Sequence, residues 1–384
     1  MKLKNISIGS FLIACVSLNT STSHALDFSY NTSTTAMIVS RDQDRESDSL
    51  SEGARFYGSF SLAQKLSKQT KLGFTAVLDS DYNYSYLDRN QDFLKEAYAF
   101  LEFNSSRLEL GKVKDIAAKM MVSAPDVGLM GVDRSMAYKF IYPTPGFTMI
   151  DSIASDFGEE KMGINYIYKM DNDFKVGFNF STGDREFNKE DEFYSREDDF
   201  GSSFSLSLKK DSFYSNAFQT SVFAAILYAD DTNIDGYSKA SGRTEVSAGT
   251  NINYHNLVLG AGVRLIDENS PENISYEGNA YNYGLAYSFG PWEASFSVHE
   301  SEAEGLVSNK RNDESKLEML SFNYKLNKRT TLSTSFGKVE YKDETGDSNE
   351  GDLVSFGFRI NLRDTINVMD SVTESSVWND SPNY

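Results

Sequence analysis

Cysteine is almost missing from this chain. One, Cys15, occurs in 384 residues, so no disulfide framework can staple the fold. Histidine numbers three, and a Cys/His zinc site is excluded with the thiols. Proline numbers six, and three of these (Pro125, Pro143, Pro145) fall in one stretch. Positive charge is in deficit: 37 Lys and Arg stand against 56 Asp and Glu, a net charge of -19. Such a chain repels a phosphate backbone, which argues against nucleic acid as a partner. Long hydrophobic runs are missing too. No segment reaches the roughly 18 consecutive apolar residues of a membrane helix.

The N-terminus comes nearest to one. Lys2 and Lys4 precede an apolar run from Ile6 to Leu18, and Ser23-His24-Ala25 follows. A basic start, a short apolar core and a small-x-small site read as a secretory signal peptide, residues 1–25, cut after Ala25. Leu12-Ile13-Ala14-Cys15 also resembles a lipoprotein cleavage box, and the mass of the mature chain separates the two. Cutting after Ala25 removes Cys15 and His24 and leaves the remainder two units more negative.

Aromatic residues are abundant, with 22 Tyr and 27 Phe, and they favour strands. In 54–66, Phe56, Gly58, Phe60 and Leu62 share one face, while Arg55, Tyr57, Ser59 and Ser61 share the other. The pattern recurs through Leu257-Leu259-Ala261-Val263-Leu265 and Val354-Phe356-Phe358-Ile360-Leu362. Period two with one apolar face marks half-buried strands. The opposite face is mostly Gly, Ser, Thr and Asn, which fits a water-filled interior better than a solvated exterior. The repeats are about ten residues long, as a tilted membrane-spanning strand requires.

Connection length alternates. Short connections fall at 67–69, 104–106, 171–173, 210–212, 255, 290 and 327–328. Long ones fall at 41–53, 80–92, 182–198, 229–242, 268–278, 301–313 and 343–351. A barrel whose strand ends face two compartments predicts this, and lipid requires that it be closed. The expected fold is all-β: a transmembrane antiparallel β-barrel over residues 26–362. It has 16 strands if 114–158 is one insertion, and 18 if 135–142 and 147–154 add a hairpin. Tyr82, Tyr84, Tyr86, Tyr166, Tyr168, Tyr254, Tyr281, Tyr324 and Trp292 lie near strand ends, as an interfacial girdle demands. Residues 363–384 read as a periplasmic tail, either disordered or a short helix in the barrel mouth. A soluble secreted β-sandwich would also alternate, but it has no reason to sort its loops by length.

One stretch breaks the rhythm. Leu110-Gly111-Lys112 leads into Ile116-Ala117-Ala118-Lys119-Met120, then Ala124-Pro125-Asp126-Val127-Gly128, then Tyr142-Pro143-Thr144-Pro145-Gly146-Phe147. In these runs the chain resembles the general bacterial outer-membrane porins, more narrowly those of alphaproteobacteria. The last run is similar to the family's Tyr-x-Thr-Pro-x-Phe element, with Gly146 where the family has Arg. The resemblance implies a constriction loop, about 114–133, folded into the lumen. It also implies an outer-membrane location, a homotrimer, and passive passage of small hydrophilic solutes and ions. If the loop narrows the channel, Asp115, Asp126 and Asp133 are its candidate acids. Arg55, Lys71, Arg107 and Lys112 are the candidate bases on the neighbouring wall. Opposed charges across a constriction set ion preference. The acidic balance points to weak cation selectivity, which replacing Asp126 and Asp133 with Asn would lower. A substrate-selective channel, or a surface antigen or adhesin with a plugged lumen, is the competing reading.

No cofactor is implied. The acidic run 186–199 reads either as a solvated charge run or as a divalent-cation tie to lipopolysaccharide phosphates. His255 falls in a tight turn and His299 on a polar face, neither beside a nucleophile, so no enzyme chemistry is read here.

Overall fold

The computed structural model describes residues 26–44, 46–83, 93–141, 143, 147, 149–154, 162–170, 173–182, 202–215, 217–230, 242–269, 276–304 and 312–367. The signal region and the segment after 367 lie outside them, as does the acidic run 186–199. The first half of the barrel comprises β1 (Leu26–Gln43), β2 (Glu46–Lys65), β3 (Thr70–Asn83), β4 (Leu94–Phe103), β5 (Ser106–Lys112), β6 (Met162–Lys169), β7 (Phe174–Thr182) and β8 (Ser203–Ser215). The second half comprises β9 (Phe218–Asp230), β10 (Gly242–Tyr254), β11 (Leu257–Asn269), β12 (Tyr276–Phe289), β13 (Trp292–Glu304), β14 (Asn312–Lys325), β15 (Thr330–Lys342) and β16 (Ser348–Asn367). Each strand pairs antiparallel with its sequence neighbour, and β1 closes the ring on β16.

Sixteen strands form the barrel. The 18-strand alternative fails because 136–139 is a turn of 3-10 helix, and no hairpin is added there. Three loop expectations are also corrected. The connection expected at 210–212 is strand, since β8 runs to Ser215 and β9 starts at Phe218. Most of 41–53 is strand, since β1 runs to Gln43 and β2 starts at Glu46. Likewise 343–351 shrinks to a turn of five residues, closed by Asp343 Oδ1 accepting from the Thr345 and Asp347 amides at 2.9 Å each. Those hairpins continue as paired ribbon past the apolar band, and their alternation is polar on both faces, which hides a strand from pattern reading. The barrel also ends later than Leu362: β16 reaches Asn367 by pairing with Asp27 of β1.

Every connection from an even strand to the next odd one is short. Three are two-residue hairpins whose first position is left-handed: Asn104 (φ 52), His255 (φ 53) and Gly290 (φ 61). That geometry matches the strand twist and is the one such short turns require. At this end Trp292 stacks on Phe289 and contacts Tyr324 at 4.6 Å between ring centres. Tyr254, Tyr287 and Trp292 are exposed on the outer face, as an interfacial girdle needs. Of the other girdle candidates, Tyr84, Tyr86 and the side chain of Tyr82 lie outside the described residues.

Parity decides the two faces. Along β9, Val222, Ile226 and Tyr228 are exposed outward, while Phe223, Leu227 and Ala229 are buried inward. Elsewhere the inner face is polar: Ser205, Ser207, Asn165, Asn179, Asn282, Ser295, Ser297, Ser321 and Ser335 are all buried. Exposed apolar side chains outside and hydrogen-bonding ones inside reverse a water-soluble fold.

Candidate functional site: the segment between β5 and β6

The segment after β5 folds against the inner wall. Asp115 caps α1 (Ile116–Met120), accepting from the Ala117 amide at 2.6 Å. Ile116, Ala117 and Met120 then bury themselves on Phe223 and Ala225 of β9. From there the backbone is strapped across the bore by inward-facing side chains. The Ala124 amide donates to Asn282 of β12 at 3.1 Å. Val127 N donates to Ser295 of β13 at 3.1 Å, and Asn323 of β14 donates to Val127 O at 2.5 Å. Arg359 of β16 donates to Gly128 O at 2.9 Å. At Gly249 the approach is so close that a Cβ would collide with the Val122 carbonyl oxygen.

The second limb is held differently. Met130, Val132, Met136, Tyr138, Phe140 and Ile141 pack with Met37, Val39, Leu317, Met319, Val339, Tyr341 and Leu353 from β1 and β14–β16. Wall donors fix its carbonyls: Arg41 to Phe140 at 2.7 Å, Tyr341 to Ile141 at 2.9 Å and His299 to Ile150 at 2.8 Å. His299 is fully buried, and because a carbonyl oxygen only accepts, it is the Nε2–H that faces Ile150.

The arc from β2 to β5 is charged instead of apolar. Arg55 grips Asp79 with Nε to Oδ1 at 3.0 Å and Nη2 to Oδ2 at 2.6 Å. Lys119 of α1 reaches Glu96 at 2.8 Å and Glu109 at 2.7 Å, with its ammonium 4.3 Å from the centre of the Tyr98 ring. Arg107 bridges Glu109 at 2.8 Å and Glu102. On the far wall a second pair is fully enclosed: Arg264 binds Glu245 through Nε at 2.9 Å and Nη2 at 3.1 Å, and Arg243 joins at 2.7 Å.

The expected charges are dispersed by this geometry. Asp115 has no exposed surface; both its oxygens accept from Ser205 at 2.9 Å. Burial pushes its carboxyl up to about 7, against the pull of those hydrogen bonds. Asp133 is a clamp: it accepts from Ser152 and the Ile153 amide at 2.9 Å each, and from Asn282 at 3.2 Å. Asp126 lies at the elbow facing β13, accepting from the Gly128 amide at 2.7 Å and Ser295 at 3.2 Å, and burial raises its carboxyl. Arg55 and Arg107 are on the inner wall as expected. Lys71 sits one residue past the start of β3, opposite Lys65 and Glu102, down at the tight-turn end. Lys112 differs from expectation, because it shares the outward parity of Leu108 and Leu110.

Lys119, Glu96, Glu109, Arg264, Glu245 and Arg359 escaped the sequence reading, since nothing local distinguishes an ion-paired lumen residue. The docking surface did leave a trace. Residues 222–229 are apolar on both parities, as are Met37-Ile38-Val39 and Leu353-Val354. A strand apolar on both faces is buried on both. Among the described residues no group of His, Cys, Asp and Glu is disposed to hold a metal ion.

A closed 16-strand barrel, apolar outside and polar inside with a segment folded against its inner wall, defines an outer-membrane channel protein. The chain belongs to the Gram-negative porin family, whose model matches residues 14–344. Solved structures of the same fold include the outer membrane channel DcaP of Acinetobacter baumannii, 12% identical with a TM-score of 0.59, covering 90% of this chain and 99% of that one. The Salmonella typhi OmpF complex with daunomycin is 13% identical with a TM-score of 0.59, covering 88% and 97%. The anion-selective porin from Comamonas acidovorans is 15% identical with a TM-score of 0.55, covering 88% and 100%. No curated protein matches the chain by sequence.

Proposed function

We propose that the barrel gives passive passage to small hydrophilic solutes and ions, with a weak preference for cations. One observation carries the reading: the segment after β5 is strapped to the wall from β7 round to β1, while the arc β2–β5 is lined by ion pairs, some of them made by the segment's own Lys119. A passage bounded by that arc meets Asp79, Glu96 and Glu102 beside Arg55, Arg107 and Lys119, with Glu109 buried behind them. Acids and bases are paired along the arc, and the preference is taken from the chain as a whole, which carries -19. A negative potential along a narrow water column concentrates cations. Loop segment 114–133 is the constriction in this reading. No cofactor, energy coupling or covalent chemistry takes part.

The native unit is a homotrimer held in lipid and lipopolysaccharide; one solved relative of the same fold, OmpT of Vibrio cholerae, is described in a trimer form. The test is planar-bilayer conductance of the purified chain. Stepwise current with a cation-positive reversal potential is expected. A barrel that inserts without raising the current would instead have a plugged lumen. Liposome swelling across sugars and amino acids distinguishes a general passage from one selective for a single solute class.

A further inference from the structure

Two of the tight turns repeat one another. Lys65-Leu66-Ser67-Lys68-Gln69-Thr70 joins β2 to β3, and Lys325-Leu326-Asn327-Lys328-Arg329-Thr330 joins β14 to β15. Both have Lys, Leu, Lys and Thr at the same places, and the backbone closes them alike. The Leu66 and Ser67 amides donate to Thr70 O at 3.0 and 3.2 Å, and the Leu326 and Asn327 amides donate to Thr330 O at 3.0 and 3.3 Å. The third residue braces each turn: Ser67 Oγ accepts from the Gln69 amide at 3.2 Å, and Asn327 Oδ1 from the Arg329 amide at 2.8 Å. In a chain of net charge -19, residues 65–71 and 325–329 hold Lys65, Lys68, Lys71, Lys325, Lys328 and Arg329 and no acid. Lys65 stands directly opposite Lys71, a like-charge facing that destabilises a sheet. Each turn also exposes a leucine, Leu66 at 43% and Leu326 at 53%.

The two turns flank the seam where β1 closes on β16. Asn367, at the end of β16, pairs with Asp27 of β1, which pairs with Ala63 of β2. Neighbouring strands lie about 4.8 Å apart, which puts Ala63 about 10 Å from Asn367, with Lys65 two residues further along β2. On the other flank the Asn361 amide donates to Arg329 O at 2.8 Å. The chain beyond Asn367 therefore leaves the barrel between the two turns, at the end that faces the periplasm in barrels of this kind. Residues 368–384 contain Asp370, Glu374 and Asp380 and no Lys or Arg, interspersed with Met369, Val372, Val377 and Trp378. At about 3.3 Å per residue, Asp370 spans the distance to the β2 end and Glu374 the distance back to Arg329.

We propose that the paired turns 65–71 and 325–329 are a docking surface for this chain's own residues 368–384. The carboxylates of Asp370, Glu374 and Asp380 seat on the turn lysines and offset the facing of Lys65 and Lys71. Val372, Val377 and Trp378 cover Leu66 and Leu326. The surface calls for an occupant that is acidic and carries apolar groups at close intervals. This segment is both, and its tether beside the turns gives it a high effective concentration there. Docked on both flanks, it clamps the β1–β16 seam from the periplasmic side. The clamp does not depend on what the channel conducts.

Carbodiimide coupling of the purified full chain in detergent, read by peptide mass spectrometry, joins carboxylates to amines in contact with them. The exposed Lys342–Glu314 pair, 3.3 Å apart on β15 and β14, is the internal control. Links from Asp370, Glu374 or Asp380 to the lysines of 65–71 and 325–329 are expected, and about 1 M salt is expected to suppress them by screening. Lys68→Gln combined with Lys328→Gln, checked as a folded barrel by heat-modifiable gel migration, is expected to lower the yield at the remaining turn lysines about fivefold. Should that variant not fold, the link map of the unaltered chain carries the test. A control link without any link from 368–384 to these turns overturns the docking. Equal yields at Lys169, Lys175 and Lys209, on the opposite side of the ring, overturn it as well, as does an unchanged yield in the folded variant. Links found only between ordinary and heavy-nitrogen chains in a mixed preparation assign the turns to a second copy and overturn docking on the chain's own barrel.

Discussion

At the scale of the residue, Asp115 shows how an acid in the bore becomes structural. Its carboxyl is enclosed, caps α1 and shares the single Ser205 hydroxyl proton between its two oxygens, and desolvation raises it to about 7. In the unfolded chain the same group ionises near 3.8. Between those values the folded form holds a proton that the unfolded form releases, so stability falls as pH rises. The contribution is complete below about pH 4 and lost by the time pH has passed about 7. Asp115→Asn has no proton to lose. Thermal unfolding in detergent from pH 4 to 8 should therefore fall less steeply for the variant than for wild type. Equal slopes would place the titrating group elsewhere. Asp133 is structural through its hydrogen bonds, which tie its own limb to the Ser152 hydroxyl, the Ile153 amide and Asn282 of β12.

At the scale of the element, the inserted segment is held by two chemistries. Its first half is strapped by single hydrogen bonds to serines and asparagines, and its second half is buried in an apolar cluster. Deleting a large core side chain costs about 3–5 kcal/mol. Phe140→Ala should thus loosen the second limb by roughly that amount, whereas Tyr341→Phe, which removes one bond to Ile141 O, costs about 1 kcal/mol. Current noise and protease nicking within 130–141 would report the difference, and similar behaviour of the two variants would contradict it. Gly249 tests the first half. Any Cβ there displaces the Val122 carbonyl, so Gly249→Val should lift the segment from β10 and raise single-channel conductance. Unaltered conductance in a folded Gly249→Val barrel would mean that this approach does not shape the passage.

At the scale of the whole molecule, the charge of -19 acts through water, and salt screens it. The Debye length drops from about 10 Å at 0.1 M to about 3 Å at 1 M. Any cation preference from the summed field should therefore shrink steeply over that range. Reversal potentials at both salt concentrations measure this, and a preference independent of salt would assign selectivity to local binding.

The barrel was legible because lipid permits few solutions. Each backbone group must be paired and every edge closed, so period two, loop-length parity and interfacial aromatics all describe one object. The sequence alone settled strand-based membrane crossing, the inner and outer faces, and the place after Lys112 where the strand rhythm breaks. Tertiary structure decided the rest: sixteen strands instead of eighteen, the extra length of β16, and which charges meet. Asp115, Asp133 and Lys112 looked like channel charges by type, yet one is enclosed, one clamps backbone and one faces outward. A charged residue writes its identity into the chain, but its exposure and partners depend on groups a hundred or more residues away, and only packing brings those together.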